Sequence, residues 1–359
     1  MSARRGRPSG GERIADAPVT AAGDPLGGTR STRDAEAIDG GEIDARTAAA
    51  RGTTVRPDAT TRGMPLDGAV PPVRAPADAN GAPDEEDEAL AVAVGASPRL
   101  FVLGGAGCST ASGLGDYRDR EGRWKRRQPI TGQTFLGDPL ARARYWARSA
   151  VGWPAFGRAR PGEAHRALVE LQRSGHVRDL VTQNVDGLHQ KAGHRAVVEL
   201  HGTLATVSCV GCGHTLLRDR FQETLIDANP WLAALDAAYA PDGDADLELR
   251  SPDEVRVPDC PRCGGLLKPD VVFFGENVPK ATVAHAMTRL READALLVVG
   301  SSLMVFSGFR FCRDAAARGQ PILIVNDGHT RADALATLKI GGDCGVRLSR
   351  LAAALADGR

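Results

Sequence analysis

From about residue 98 onward the chain alternates short apolar runs with stretches of helical periodicity. Leu100–Leu103, Val177–Thr182, Val197–Leu200, Ala295–Val299 and Pro321–Val325 are four to six residues long and read as buried strands. Glu163–Arg173, Thr282–Glu292, Phe309–Arg318 and Val346–Ala356 carry apolar residues at helical spacing. Apolar strands separated by amphipathic helices predict a Rossmann-like, doubly wound α/β fold, a parallel sheet covered on both faces. Ligands of such sheets bind beyond the carboxyl ends of the strands. Polar clusters stand at those ends: Gly105–Arg118, Gln183–Asp186, His201, Gly300–Ser302 and Asn326. Five clusters at five strand ends predict one shared site.

The first cluster begins Gly105-Ala106-Gly107-Cys108-Ser109. A strand running into a glycine-rich turn lays backbone N–H groups against a phosphate, and glycine lets the main chain come close. By itself that pattern says only phosphate or dinucleotide. The Asp116-Tyr117-Arg118 that closes the loop is not needed for phosphate, and suggests a loop that also handles the nicotinamide end of a cofactor.

The alternation breaks over residues 203–272, where Cys209-x-x-Cys212 and Cys260-x-x-Cys263 are each followed by glycine. Each knuckle can place two thiolates on a tetrahedral zinc, and two knuckles close the coordination shell, so the zinc is structural. A redox role would call for a single such motif at a helix N-terminus. A second, smaller zinc-binding domain is therefore expected over about 203–273, with 93–202 and 274–359 forming the sheet-bearing part. The acidic stretch Pro241–Asp246 reads as a solvated loop, with calcium binding as the alternative.

Composition narrows the picture. Residues 1–100 hold no Phe, Trp, Tyr, Cys or Lys, so residues 1–92 are expected to be a disordered tail. A mitochondrial leader is conceivable from Arg4, Arg5 and Arg7, but acidic residues follow early, and Met64 offers an alternative start. Equal numbers of acidic and basic residues, 45 each, argue against nucleic acid as the primary partner. No apolar run reaches the ~18–20 residues of a membrane span, so no membrane partner is expected. The arginine-rich, lysine-poor composition suits a GC-rich bacterium, and the protein is expected in the cytoplasm.

Together these motifs resemble the sirtuins, NAD-dependent protein deacylases. The resemblance runs from about 98 to 350 and rests on several ordered phrases. They are G-A-G-x-S-x-x-S-G (Gly105–Gly113), T-Q-N-V-D-G-L-H (Thr182–His189), E-L-H-G (Glu199–Gly202), the four cysteines, V-F-F-G-E (Val272–Glu276) and G-S-S-L (Gly300–Leu303). Arg144–Arg148, Ala240–Asp244 and Lys268–Val272 look most like the class II branch. The sequence departs from the family pattern at Leu114 and Gly115, where Ile and Pro are usual, and at Cys108 and Gly162. A glycine at 115 implies a looser cofactor loop.

The resemblance implies NAD as a consumed co-substrate, one structural zinc, and acylated-lysine proteins as substrates. The acyl oxygen attacks C1′ of the nicotinamide ribose and nicotinamide leaves; His201, as general base, then helps a ribose hydroxyl take the acyl group. Histidine suits this because its ordinary pKa is about 6.5. Products are free lysine, O-acyl-ADP-ribose and nicotinamide. By the same resemblance Asn184 shares the catalytic work and, with Gln183, Val185 and Asp186, the ribose and nicotinamide contacts. Gly105, Ala106, Gly107, Ser109, Asp116, Tyr117, Arg118 and Trp124 line the cofactor, and Gly300, Ser301 and Ser302 hold phosphate or ribose. Asn326, Asp327, Gly328 and Cys344 hold the adenosine half. Val272, Phe274, Gly275 and Glu276 form the peptide cleft.

Plainer readings exist for several of these. Asn184 or Asp186 could be a helix cap, Val272–Phe274 an ordinary buried strand, and Cys108 and Cys312 are core residues only. Tyr145 and Arg148, at i and i+3, match the Tyr-x-x-Arg pair of acidic-acyl-selecting sirtuins, although Trp146 and the nearby arginines suit a plain amphipathic helix. Protein mono-ADP-ribosyl transfer and a non-catalytic NAD or zinc interaction module are the competing functions.

Overall fold

A computed structural model describes residues 82–125, 129–235 and 251–357. Most of the expected tail, and the acidic stretch Pro241–Asp246, lie outside the described residues. In chain order the elements are α1 (Glu85–Gly95), β1 (Leu100–Gly104), α2 (Gly132–Gly137), α3 (Pro139–Arg158), α4 (Glu163–Arg173), β2 (Val177–Thr182), α5 (Leu188–Ala192) and β3 (Val197–Glu199). Then follow β4 (Gly202–Cys209), β5 (Thr215–Leu217), α6 (Arg218–Ala228), β6 (Leu267–Val271), α7 (Lys280–Glu292), β7 (Ala295–Val299), α8 (Phe306–Ala317), β8 (Ile322–Val325), β9 (Leu338–Ile340) and α9 (Cys344–Asp357).

A six-stranded sheet runs in the order β3-β2-β1-β7-β8-β9, every pair parallel. The continuous apolar strands are explained by two covered faces. Leu100, Val102, Leu297 and Val299 point to one side with α1, α4 and α9, while Phe101, Leu103, Leu296 and Val298 point to the other with α7 and α8. The strand order reverses between β1 and β7, which opens a crevice at their carboxyl ends.

The second, smaller sheet is antiparallel, β5-β4-β6. Its core draws on more than residues 203–273, because Phe135 of α2 and Ala143, Tyr145, Trp146 and Ala150 of α3 pack with Val207, Phe221, Leu225 and Leu267. Helix α3 is thus no plain amphipathic helix: Tyr145, Trp146 and Ala147 are consecutive and all buried.

One correction concerns the tail. The segment expected to be disordered up to residue 92 contains α1, which starts at Glu85. Asp84 and Asp87 form a reciprocal capping box, and four acidic residues fill the first turn, where the helix dipole favours them. Leu90 and Val94, four apart, enter the core, and Arg347 of α9 pairs with Asp84 (2.7 Å) and Glu86 (2.8 Å). Among the described residues no helix is long and apolar enough to cross a membrane.

Candidate active site

The first-strand loop and the fourth-strand loop cross each other at backbone contact. Gly105 N–H donates to the Val299 carbonyl (2.9 Å) and Gly107 N–H to the Gly300 carbonyl (2.8 Å). A Cβ on Gly107 would lie 2.7 Å from Gly300 Cα, and one on Gly105 2.6 Å from the Gly300 oxygen. Gly300 itself has φ +60, which glycine adopts without strain. Three glycines are needed here because no side chain fits between the loops. Leu303, in the same turn, also holds a left-handed backbone (φ +57), a strained state for a branched side chain and one typical of functional loops.

Next to this cradle His165, His189 and His194 are buried and pack edge to face, with ring centroids 4.7 and 5.3 Å apart. Burial drives the His165 and His194 pKa values down to about 4, so both rings are neutral near pH 7.

The second and third strand ends meet beside the cradle. Gln183 Nε2 donates to Ser301 Oγ (2.9 Å), tying β2 to β7 across β1. Asn184 Nδ2 donates to the Gly105 carbonyl (3.0 Å) and to Ser109 Oγ (3.1 Å). Ser109 Oγ in turn donates to Asp186 (2.7 Å), whose other oxygen accepts from Leu188 N–H. Burial raises the Asp186 pKa against the pull of these hydrogen bonds.

His201 ends this row. Its Nδ1 lies 2.8 Å from the Gln183 carbonyl oxygen, which can only accept, so Nδ1 carries the proton. Nε2 therefore holds the lone pair and accepts from Ser307 Oγ at 2.7 Å. Burial is the main force lowering the His201 pKa, and the Arg310 charge adds to it; the hydrogen bond to Gln183 opposes them.

A cavity of about 790 Å³ joins these groups, within the range of ligand pockets. One side is the 116–124 loop, where Arg118 stacks on Trp124 (4.0 Å) and Trp124 meets Phe274 edge-on (5.5 Å). Asp116 is ion-paired with Lys125. Gly115 is exposed and does not need a left-handed backbone. Adjoining it through the Trp124–Phe274 contact is the segment after β6, where Val272 N–H donates to the His201 carbonyl (2.8 Å) and Gly132 N–H to the Phe274 carbonyl (2.9 Å). Glu276 is paired with Lys268 (3.2 Å), and Gly275 turns the chain at φ +82.

Every expected catalytic, cofactor and peptide residue lines this cavity except Gly328. Gly328 instead packs on Arg120, with a Cβ position 2.6 Å from the Arg120 carbonyl oxygen, where the 118–124 and 327–329 loops touch. Asp327 pairs with Arg120 (2.8 Å), and the Asn326 side chain donates to the Gly328 carbonyl (3.3 Å). Buried Cys344 opens α9 at the far end of the cavity. Tyr145 is also in the wall, whereas Arg148 is not. The sequence reading missed Ser307 and Arg310, the two residues nearest His201 in charge and hydrogen bonding. The available signal was their spacing: one helical turn apart, just after the G-S-S-L loop.

The four cysteines converge as their spacing requires. Their sulfurs lie within 4.8 Å of one another, with Cys209–Cys263 at 3.5 Å and Cys212–Cys260 at 3.7 Å. A tetrahedral zinc with Zn–S of about 2.3 Å has S···S edges of about 3.8 Å. The distances suit a metal edge and are far beyond a disulfide bond, whose length is about 2.05 Å. Gly265 keeps the place free, since its Cβ would come within 3.0 Å of Cys209 Sγ. The four thiolates fit one structural zinc.

A family model described as Sir2 family matches residues 105–307. An NAD-dependent protein deacetylase of Xanthomonas axonopodis pv. citri is 58% identical over 253 residues, covering 70% of this chain and 86% of that protein. NAD-dependent protein deacetylase 2 of Bradyrhizobium diazoefficiens is also 58% identical, covering 70% and 93%. Among solved structures, a Sir2–p53 peptide–NAD⁺ complex superposes with a TM-score of 0.58 at 27% identity, covering 76% of this chain and 97% of that one. A Sir2 variant with deacetylated p53 peptide and 3′-O-acetyl-ADP-ribose gives 0.60 at 28%, covering 76% and 98%.

Proposed function

This chain belongs to the Sir2 family, and on that premise we propose that it is an NAD-dependent protein-lysine deacetylase whose base is His201. The observation that carries the residue assignment is the fixed tautomer of His201, which presents the Nε2 lone pair to a cavity large enough for both substrates. When bound, NAD supplies an electrophilic ribose carbon, nicotinamide as leaving group and a ribose hydroxyl as acyl acceptor. The glycine cradle, with Ser301 and Ser302, would hold its phosphates.

The chain's own groups account for the remaining requirements. Gln183 fixes the imidazole and, through Ser301, locks two strand ends together. The Asn184 carboxamide is oriented by two donated hydrogen bonds, which leaves its oxygen for the ribose or a water. Asp186 is held by Ser109 and Leu188 beside the nicotinamide end. The Ser307 hydroxyl occupies Nε2 until a ribose hydroxyl takes its place. Val272–Glu276 would receive an extended acyl-lysine peptide by strand addition, which reads little of the side-chain sequence. Holding both reactants in one cavity supplies much of the acceleration. Tyr145 lines the cavity and Arg148 does not, so no acyl-carboxylate role is assigned to the pair. The cytoplasm of a bacterium and protein rather than nucleic-acid substrates complete this reading.

The direct test is mass spectrometry of an acetyl-lysine peptide incubated with the protein. The expected result is loss of the acetyl group with release of nicotinamide in equal amount, and only when NAD is present. A peptide that keeps its acetyl group and gains ADP-ribose would instead establish mono-ADP-ribosyl transfer.

The cradle makes a second prediction. Gly107→Ala must push the 300–301 loop away, because the clash is with backbone and no flexible side chain can yield. Affinity for ADP-ribose, measured by titration calorimetry, should fall at least tenfold, or about 1.4 kcal/mol. Unchanged affinity would mean the two loops do not hold the diphosphate.

A further inference from the structure

Helix α8 begins at the rim of the cavity with Val305 and Phe306, which are 37% and 47% exposed although both are large and apolar. The guanidinium carbons of Arg310 and Arg313 lie 5.2 and 5.7 Å from the Phe306 ring centroid. Positions i, i+4 and i+7 share one helix face, so the aromatic ring carries two cations on the same side. Neither arginine makes an ion pair among the described residues, and Arg310 Nε is buried without a hydrogen-bond partner. An unsatisfied buried donor on a cation is costly and calls for an explanation.

The carboxylates that could answer it are engaged elsewhere. Glu276 is held by Lys268, Asp327 by Arg120, Asp116 by Lys125 and Asp119 by Arg123. Asp314, on α8 itself, faces Arg291 and Arg318. The rim is thus left with uncompensated positive charge next to an exposed aromatic, on the same cavity that the Val272–Glu276 segment lines. Arg313 does not line the cavity in which the Gly105–Gly107 and Gly300–Ser302 cradle sits, so its charge faces outward at the rim.

We propose that Phe306, Arg310 and Arg313 form a recognition rim for substrate peptides carrying acidic residues next to the acyl-lysine. This rests on the deacetylase reading and adds the substrate class. A flanking Asp or Glu would meet the two guanidinia while its apolar stem, or a neighbouring side chain, lies on Phe306 and Val305. The carboxylate sits in the flank and not at the tip of the acyl chain, because Phe306 and Arg313 are exposed at the surface and Arg313 does not line the cavity.

Three acetyl-lysine peptides that differ only in Glu, Ala or Lys flanks test this, with kcat/KM measured at low and high salt. The wild-type protein should prefer Glu over Lys flanks by roughly tenfold, as two exposed charge pairs allow, and the preference should shrink with salt. Arg313→Glu should invert the order through KM for peptide, leave KM for NAD unchanged and leave turnover of the Ala-flanked peptide intact. Arg310→Gln should weaken the preference. Turnover indifferent to the flank overturns the rim alone. A succinyl-lysine preference that disappears in Arg310→Gln, with no flank effect, also overturns it, because the arginine would then read the acyl group. If no peptide is turned over with NAD, the deacetylase reading falls and the rim falls with it.

Discussion

Replacing His201 with alanine should lower kcat for NAD-dependent deacetylation by about a thousandfold, the scale of a lost general base, while ADP-ribose still binds. The structure separates the two effects because the cradle of Gly105, Gly107 and Gly300 is built from backbone contacts in which His201 takes no part. The same variant strands the Gln183 carbonyl and the Ser307 hydroxyl, at a cost of about 1–3 kcal/mol for each buried group left unpaired. A fall in melting temperature is therefore expected beside the loss of turnover, and calorimetry with ADP-ribose keeps the two apart.

The pH dependence carries a sign that also belongs to this residue. The base must be neutral, and burial with the Arg310 charge places the His201 pKa below the ordinary 6.5. The rate constant kcat/KM should therefore rise with pH through a limb lying below 6.5 and be flat above it. The residual activity of His201→Ala should lack that limb. An acid limb that survives in the variant, or a loss of activity smaller than tenfold, would remove His201 from the chemistry.

How far the sequence could carry this picture depends on what each element needed. The strands of the main sheet are apolar on both sides because helices cover both faces, so Leu100–Gly104 and Ala295–Val299 stand out with no help from the fold. The site was legible for a related reason: parallel strands bring all their carboxyl ends to one edge, so polar clusters that are remote in sequence must converge. Three-residue β9 carries too little pattern to be read alone. Helix α1 was hidden for another reason. Its signals, an acidic capping box and Leu90 and Val94 four apart, sit at the end of a long segment whose average composition is that of a disordered chain.

Ser307 and Arg310 mark a different limit. A serine and an arginine in the first turns of a helix look like solvent-facing residues. Their proximity to His201 exists only because α8 starts where β7 ends and β3 hands over to β4. Helix α3 shows the same effect in reverse: its four arginines suggest a wet surface, yet β4, β6, α6 and Phe273 bury Tyr145, Trp146 and Ala147. Tertiary contact decides both cases, and no local pattern reports it.

Removal of zinc should collapse the peptide-binding side of the cavity together with the small sheet. The knuckles join the ends of β4 and β6: Val210 N–H donates to the Leu266 carbonyl (2.9 Å), Cys209 ends β4, and Leu267 begins β6 four residues after Cys263. Strand β6 then runs straight into Val272–Glu276, which forms one wall of the cavity. Cys209 and Cys260 are buried within the same core as Trp146, Phe221 and Phe273, so the metal sits against the packing that holds this wall. Structural zinc sites bind with about 10–16 kcal/mol in small peptides, more than the 5–15 kcal/mol stability of a typical domain. Cys260→Ser should accordingly lose the single equivalent of zinc, lower the melting temperature by more than about 10 °C and abolish deacetylation. Because that variant can fail by misfolding alone, chelation of the folded wild-type protein gives the second arm. Activity should then disappear in step with zinc measured by atomic absorption, and adding zinc back should restore it. Full activity and an unchanged melting temperature in zinc-free protein would show that the four thiols close the site without a metal. The cysteine cluster is remote from His201 in the chemistry, but it decides whether the wall facing His201 exists.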